Sequence, residues 1–424
     1  LSGCNPVDIA ALFDEIDQDE GAAMLFRLLP KDTAANVFSY LSSDSQERLI
    51  GLLSDKELGC IIDDMYLDDA ADLVEEMPAN VVDKVLRVAG PDTRVRINQL
   101  LKYPQDSAGS VMTTEFVDLK REMTVKECFD HIRKHAIDKE TIYTCYVLDQ
   151  TRKLSGVVTV KDLLLAPYET RVADLMDENV IYVSTLDDQE AVANLFQKYD
   201  MLSLPVVDQE RRLVGIITVD DAMDVMQEEN TEDFEKMAAI QPMEDTYLHT
   251  PVFTHARKRI VWLLVLMVSA VITGGIISRF ENAIAVVPLL VTFIPMLMDT
   301  GGNAGSQAST LIIRGMALGE IQWNDFFRVL FKEFRISLVV GGELSVVDAL
   351  WIWAVYHSLP VALTVGISLF VTVCVAKMVG CALPMTAKRL GLDPAIMASP
   401  LLTTVVDGCA ILVYFNVAAA LMHL

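Results

Sequence analysis

YVLDQTRKLSGVVTVKDLL, Tyr146–Leu164, returns 59 residues later as PVVDQERRLVGIITVDDAM, Pro205–Met223. Each copy reads as a strand, an Asp-Gln turn, a second strand carrying a glycine, and a Thr-x-x-Asp that opens a helix. Two G-x-[VI]-T-x-x-D signatures, Gly156/Thr159/Asp162 and Gly215/Thr218/Asp221, stand in register. A Met-Thr or Met-Asp pair, Met112-Thr113 and Met176-Asp177, opens each unit. A duplicated α/β module therefore occupies the middle of the chain.

The flanks differ sharply. From Pro251 onward there are 11 Lys/Arg and 9 Asp/Glu, a net of +2, against 23 and 50 before it, a net of -27. An acidic, water-soluble part thus precedes an apolar one. Such acidity argues against nucleic acid, which needs a basic face, and suits a solvated surface or cation binding. The seven cysteines form no CxxC pair and no even framework, which suits a reduced compartment. No signal-peptide pattern opens the chain, which starts at Leu1.

Residues 1 to 103 read as short helices. Asp32, Asp44, Ser54, Asp68 and Pro78 stand at or near successive starts, 10 to 14 residues apart. In IDDMYLDDAADLVEE, Ile62–Glu76, Asp68 and Asp72 share one face at i, i+4. Like charges at that spacing destabilise a helix unless screened, so the face is either solvated or a divalent site. Behind the second repeat, Asp221, Asp224, Glu228, Glu229, Glu232, Asp233 and Glu235 crowd into fifteen residues. There Phe234, Met237 and Ile240 give the helix a face to bury, as a lever to a membrane domain would need. Cys128, His131 and His135 share a helical face but lack the fourth ligand of a closed zinc site. No nucleophile–base or paired-carboxylate arrangement suggests an enzyme.

A spanning helix needs about 20 mostly apolar residues. Five segments qualify: Ile260–Ile277, Ala283–Ile313, Ile336–Tyr356, Ser358–Ala387 and Pro394–Met422. The second contains Pro288, Pro295, Gly301, Gly302 and Gly305, and is expected to be tilted or broken. Arg257/Lys258/Arg259, then Arg314, Arg328, Lys332 and Arg335, then Lys388/Arg389 fall on one side; little more than Arg279 falls on the other. By the positive-inside rule the acidic half is cytoplasmic and the C-terminus lies outside. Asp407 sits near mid-span, where a carboxylate costs about 2.5–3.5 kcal/mol. Thr403, Asp407, Ala410 and Tyr414 form one stripe, expected to face a water-filled path or a partner helix. The natural use of that carboxylate is to hold a cation; the bland one is to glue helices. MDTGGNAGSQAST, Met298–Thr310, lacks the GK[ST] of a P-loop. It suits either close helix packing or a polar wall including Asp299, Asn303 and Gln307. Glu343 and Asp348 are read as structural, at an interface or paired with Lys377.

The duplicated signature resembles a tandem pair of cystathionine β-synthase (CBS) domains. The whole chain resembles the MgtE family of magnesium channels and transporters, most specifically in YPQDSAGSVMT (Tyr103–Thr113), GGNAGSQ (Gly301–Gln307) and GLDPAIMASPLLTTVVDG (Gly391–Gly408). That implies a multidomain α-helical membrane protein: an all-α superhelical N-domain (1–103), α/β CBS domains (104–166 and 167–228), a plug-like connecting helix (229–256) and five transmembrane helices (257–424). It implies a homodimer in the lipid of the plasma (inner) membrane. Mg²⁺ would be both transported and regulatory, and ATP would be a CBS ligand. By resemblance, Asp407 holds hydrated Mg²⁺ and Asp393 a site beside the gate. Asp188, Asp200, Asp221, Asp224, Glu229, Glu232 and Asp233 line regulatory sites, with Asp68 and Asp72 as N-domain counterparts. Gly301, Gly302, Asn303 and Thr403 line the pore with Asp407, and Asp162 and Asp221 lie near the nucleotide. The competing readings are a carrier of another divalent ion (Mn²⁺ or Co²⁺) or a cation-coupled solute carrier, with a nucleotide sensor, and a non-transporting membrane receptor.

Overall fold

Polar or proline residues every 10 to 14 positions start helices, because their side chains or fixed φ suit the first turn. The computed structural model describes residues 4–16, 18–137, 139–243, 247, 250–397 and 399–422, and divides into two units, Leu1–Glu228 and Glu229–Leu424. Among the described residues eight short helices open the first unit: α1 Pro6–Asp14, α2 Asp19–Phe26, α3 Lys31–Ser39, α4 Ser43–Leu52, α5 Asp55–Asp64, α6 Leu67–Glu76, α7 Ala79–Val88 and α8 Pro91–Leu100. In α5, Ser54 and Glu57 close a capping box, the Ser54 N–H donating to the Glu57 carboxylate at 2.8 Å. One face of α6 is buried through Leu67, Ala70, Ala71, Leu73 and Val74.

The repeat forms two three-stranded sheets: β1 Val117–Lys120, β2 Thr144–Leu148 and β3 Leu154–Thr159, then β4 Val183–Ser184, β5 Ser203–Val207 and β6 Leu213–Thr218. Around them run α9 Val125–His135, α10 Val160–Leu165, α11 Val172–Leu175, α12 Gln189–Tyr199 and α13 Val219–Met237. In each sheet the first strand is parallel to the second and the second antiparallel to the third. Thr144 pairs with Thr159 and Ser203 with Thr218, the same register in both copies.

The signature residues now have physical reasons. Thr159 caps α10 and Asp162 closes its capping box. Thr218 donates its hydroxyl and N–H to Asp221 in the same way. Each glycine makes room for the opposite copy's opening pair. A Cβ on Gly215 would stand 2.6 Å from Met112 Sδ and 2.7 Å from the Thr113 carbonyl; one on Gly156 would stand 2.9 Å from Met176 Sδ. Thr113 bridges to Ile216 and Asp177 to Val157, so each copy's opening segment closes the other's sheet. Packing crosses the sequence boundaries too. The N-terminal helices share a core with the second copy through Ile97, Leu100, Val192, Phe196, Leu204 and Ile217, while the first copy packs separately around Cys128, Cys145 and Leu163. Cys128 is thus committed to a core, which breaks the zinc trio.

Of the connecting helix expected over 229–256, residues 229–237 continue α13, which ends at Met237, and residues 252–256 open the next helix, which begins at Val252. Phe234 is 72% exposed, contrary to its expected burial, whereas Met237 packs beside Ile312, Met316 and Met385. The second unit then contains α14 Val252–Ser278, α15 Glu281–Val286, α16 Ile294–Ala317, α17 Phe326–Tyr356, α18 Leu359–Arg389 and α19 Ser399–Met422. Among the described residues four segments suit a membrane by length and composition: Val252–Ser278, Trp323–Tyr356, Leu359–Arg389 and Pro394–Met422. The expected second span is broken into α15, a 3-10 turn at Pro288–Phe293 and α16. At 24 residues α16 is long enough, but Asp299, Asn303, Ser306 and Gln307 make it less apolar than the other four.

Candidate cation sites

In the first unit, carboxylates from three segments converge. The first turn of α6 supplies Asp68 and Asp69, and Asp72 follows one turn on; the start of α13 supplies Asp220, Asp221 and Asp224; the loop before β2 supplies Glu140. Asp68 is buried, and its Oδ1 accepts the Asp69 N–H at 3.0 Å. Burial, then the charge of Asp69, pushes the Asp68 carboxyl up to about 7. Burial and Asp221 lift Asp69 to about 6, and burial and Asp68 lift Asp221 to about 7. Burial, then Asp68 and Asp221, lifts Glu140 to about 9, and its buried Oε2 has no hydrogen-bond partner. Asp72 is pushed the same way by its surroundings and by Asp68, but its side chain opens to solvent, which tempers the effect. Asp224 is raised by partial burial and Asp220.

Only protons or a cation relieve such crowding. An all-oxygen donor set fits a hard divalent ion, and Mg²⁺ takes one or two carboxylates while keeping most of its water. Among the described residues no three His, Cys or carboxylate side chains gather closely enough to hold an ion unaided. Glu140, Asp69 and Asp220 were missed by sequence reasoning; Glu140 is remote in sequence and gave no signal. Asp188 and Asp200 do not converge. Asp188 caps the start of α12, accepting the Glu190 N–H at 3.0 Å, and Asp200 ends it at φ 52. An 11-residue helix holds them roughly 17 Å apart. Asp162 lies exposed at the start of α10, held by Thr159.

In the second unit the end of α13 meets the turn before α19. Lys236 Nζ lies 2.7 Å from Glu232 Oε1 and 2.7 Å from Asp393 Oδ2. Asp393 Oδ1 also accepts the Ala395 N–H at 2.8 Å. Burial opposes charge on Lys236, but its two carboxylate partners prevail and raise its pKa. Asp233 is raised by burial and then by Asp393. Glu229 belongs to the same helix. Arg314, ending α16, donates to Asn230 Oδ1 at 3.3 Å.

Within the apolar helices, the glycines of α16 are packing surface. A Cβ on Gly301 would stand 2.8 Å from Thr372 Cγ2, one on Gly302 3.0 Å from Thr403 Cγ2, and one on Gly380 against the Gly305 carbonyl oxygen. Gly301 and Gly302 are buried in this clamp between α18 and α19, as the close-packing reading of this run expects; Asp299, Asn303, Gln307, Thr310 and Arg314 are exposed polar groups of α16. The stripe on α19 divides likewise. Ala410 and Tyr414 are buried, Tyr414 donating to the Leu290 carbonyl at 3.0 Å, whereas Thr403 and Asp407 are half-buried. No hydrogen bond or ion pair engages Asp407 among the described residues. Contacts of Gly305 with Leu402, Gly302 with Thr403 and Gly301 with Val406 run antiparallel, which brings Asp299 alongside Asp407. Lys377 faces Glu333 at 3.8 Å, both buried, rather than Glu343 or Asp348.

A family profile described as a divalent cation transporter, MgtE, matches residues 294–417. The MgtE intracellular N domain matches 4–106, and the CBS domain matches 108–169 and 172–228. The magnesium transporter MgtE of Thermus thermophilus is 38% identical, over 100% of this chain and 94% of its own. That of Bacillus subtilis is 34% identical, over 98% and 94%. The crystallised cytosolic domain of the Mg²⁺ channel MgtE in complex with ATP is 42% identical, covering 53% of this chain and 91% of that one, at a TM-score of 0.50.

Proposed function

The chain belongs to the MgtE family, and on that premise we propose that it is a Mg²⁺-selective, Mg²⁺-gated channel importing Mg²⁺ down its electrochemical gradient. The family is one of transporters rather than enzymes, and the protein is a multi-pass membrane protein with cytoplasmic N-terminal domains. The observation that carries the reading is Asp407. It stands half-buried and unpaired in a helix that is otherwise apolar, at a cost that only function explains. Because Mg²⁺ surrenders water reluctantly, a wide path with carboxylates acting through water is cheaper than a dehydrating cage. In a homodimer within the plasma membrane, two-fold symmetry brings two Asp407 side chains to one axis, with Asn303 and Thr403 beside them and the C-terminus outside.

Mg²⁺ bound by Asp68, Asp72, Asp221 and Asp224, by Asp188 and Asp200 at separate places or between copies, and by Glu229, Glu232, Asp233 and Asp393 offsets the acidic repulsion and favours closure. When Mg²⁺ falls, repulsion opens the gate. Moving the population from 1:99 to 99:1 takes about 5.5 kcal/mol of preference, which several weak sites supply jointly. ATP would reach the CBS pair through its sugar hydroxyls, since Asp162 and Asp221 accept hydrogen bonds and repel phosphate. Flux of Mg²⁺ into liposomes containing the purified chain tests the reading; undiminished flux through Asp407→Asn refutes it. Competition by Mn²⁺ and Co²⁺ against that flux distinguishes the carrier of another divalent ion.

A further inference from the structure

Lys236 occupies the place a metal would take. Its ammonium bridges Glu232 and Asp393, at 2.7 Å from each, and Asp233 stands close enough to feel Asp393. The side chain is only 21% exposed, so this contact is built into the junction rather than borrowed from solvent. The bridge joins the last turns of α13 to the 3-10 turn at Pro394–Met397 that leads into α19. We propose that Lys236 is a tethered cation that holds Glu232 and Asp393 together in the absence of Mg²⁺ and competes with Mg²⁺ for them.

The inference rests on the reading of Glu232, Asp233 and Asp393 as a Mg²⁺ site. A divalent ion entering there must share or displace the ammonium, because two cations at one pair of carboxylates repel. Apparent Mg²⁺ affinity is then reduced by the fraction of time the ammonium is seated. The same contact keeps the junction partly assembled when Mg²⁺ is absent. Lys236 is thus a positioning residue that sets the Mg²⁺ level at which the gate responds.

The sign of the effect separates this role from a plain structural brace. Removing a brace would raise the Mg²⁺ needed for closure. Removing a competitor lowers it and loosens the Mg²⁺-free junction. The test uses the full chain, with Mg²⁺ followed by calorimetric titration, by chymotrypsin protection of the segment around 238–251, which holds Met243, Tyr247 and Leu248, and by flux. Lys236→Met and Lys236→Gln are expected to lower the Mg²⁺ midpoint about five- to tenfold and to increase cleavage without Mg²⁺. Lys236→Arg should titrate like the parent. Combining Lys236→Met with Asp393→Asn should erase the shift, since the two groups act as one unit. A midpoint unchanged or raised in both charge-free variants overturns the inference while leaving the channel reading standing. A parent protein that neither binds Mg²⁺ nor closes with it overturns both.

Discussion

Two groups of carboxylates in this chain are arranged in opposite ways. In the first unit Asp68, Asp69, Asp72, Glu140 and Asp221 crowd together, and none of them pairs with a lysine or arginine among the described residues. In the second unit Glu232 and Asp393 share Lys236, and Glu333 faces Lys377 inside the helices. The first arrangement stores repulsion that an arriving cation relieves; the second is already neutralised by the chain itself. Asp407 belongs to neither group, being a single carboxylate among apolar helices with only Asp299 alongside. The three thus differ in how each negative charge is answered.

That contrast breaks first at Asp407. Asp407→Asn is expected to cut Mg²⁺ flux into liposomes by at least about 100-fold while the protein elutes as the parent does, since α19 carries no other charge to hold the ion. The neutralised kind of site is tested by Lys377→Met, which leaves Glu333 buried and unanswered. It should cost about 3–5 kcal/mol in detergent-solubilised protein, and Glu333→Gln in the same chain should recover most of that, read by thermal melting. Asp221→Asn, Asp224→Asn, Glu232→Gln and Asp233→Asn together should raise the Mg²⁺ needed for closure at least about tenfold in patch recordings, because several weak sites act jointly.

The smallest effect concerns pH. The folded cluster holds protons that the unfolded chain releases, because its carboxyl groups titrate at about 6 to 9 instead of near 4. Stability of the metal-free protein should therefore be greatest below about pH 4 as far as these groups are concerned. It should fall as pH rises through the folded values, by something on the order of 2 kcal/mol, and level off beyond. Saturating Mg²⁺ should flatten the slope. A metal-free melting temperature that rises between pH 5 and pH 8 would contradict the proposed repulsion.

Local pattern made much of this architecture legible. The spacing of Asp44, Ser54, Asp68 and Pro78 announced helices because capping chemistry is local. The repeat announced twin sheets because strand alternation and Thr-x-x-Asp capping are local too. The site was less legible. Glu140 lies about 70 residues from α6, and no period or motif links them. The sequence left packing and a polar wall open around Gly301 and Gly302, because the absence of a Cβ serves close helix contact as well as it serves a pore; only the structure shows their clamp. Asp188 and Asp200, each read as lining a regulatory site, stand at opposite ends of one helix.

By itself the sequence determined the soluble acidic half, the duplicated α/β module, the apolar helices and the anomalous Asp407, since each follows from composition or a short period. Only tertiary structure decided which carboxylates meet, that each repeat's opening segment closes its twin, and that a lysine sits between Glu232 and Asp393. Those facts depend on contacts between residues far apart in the chain, whose energies arise only when packing removes water from both partners.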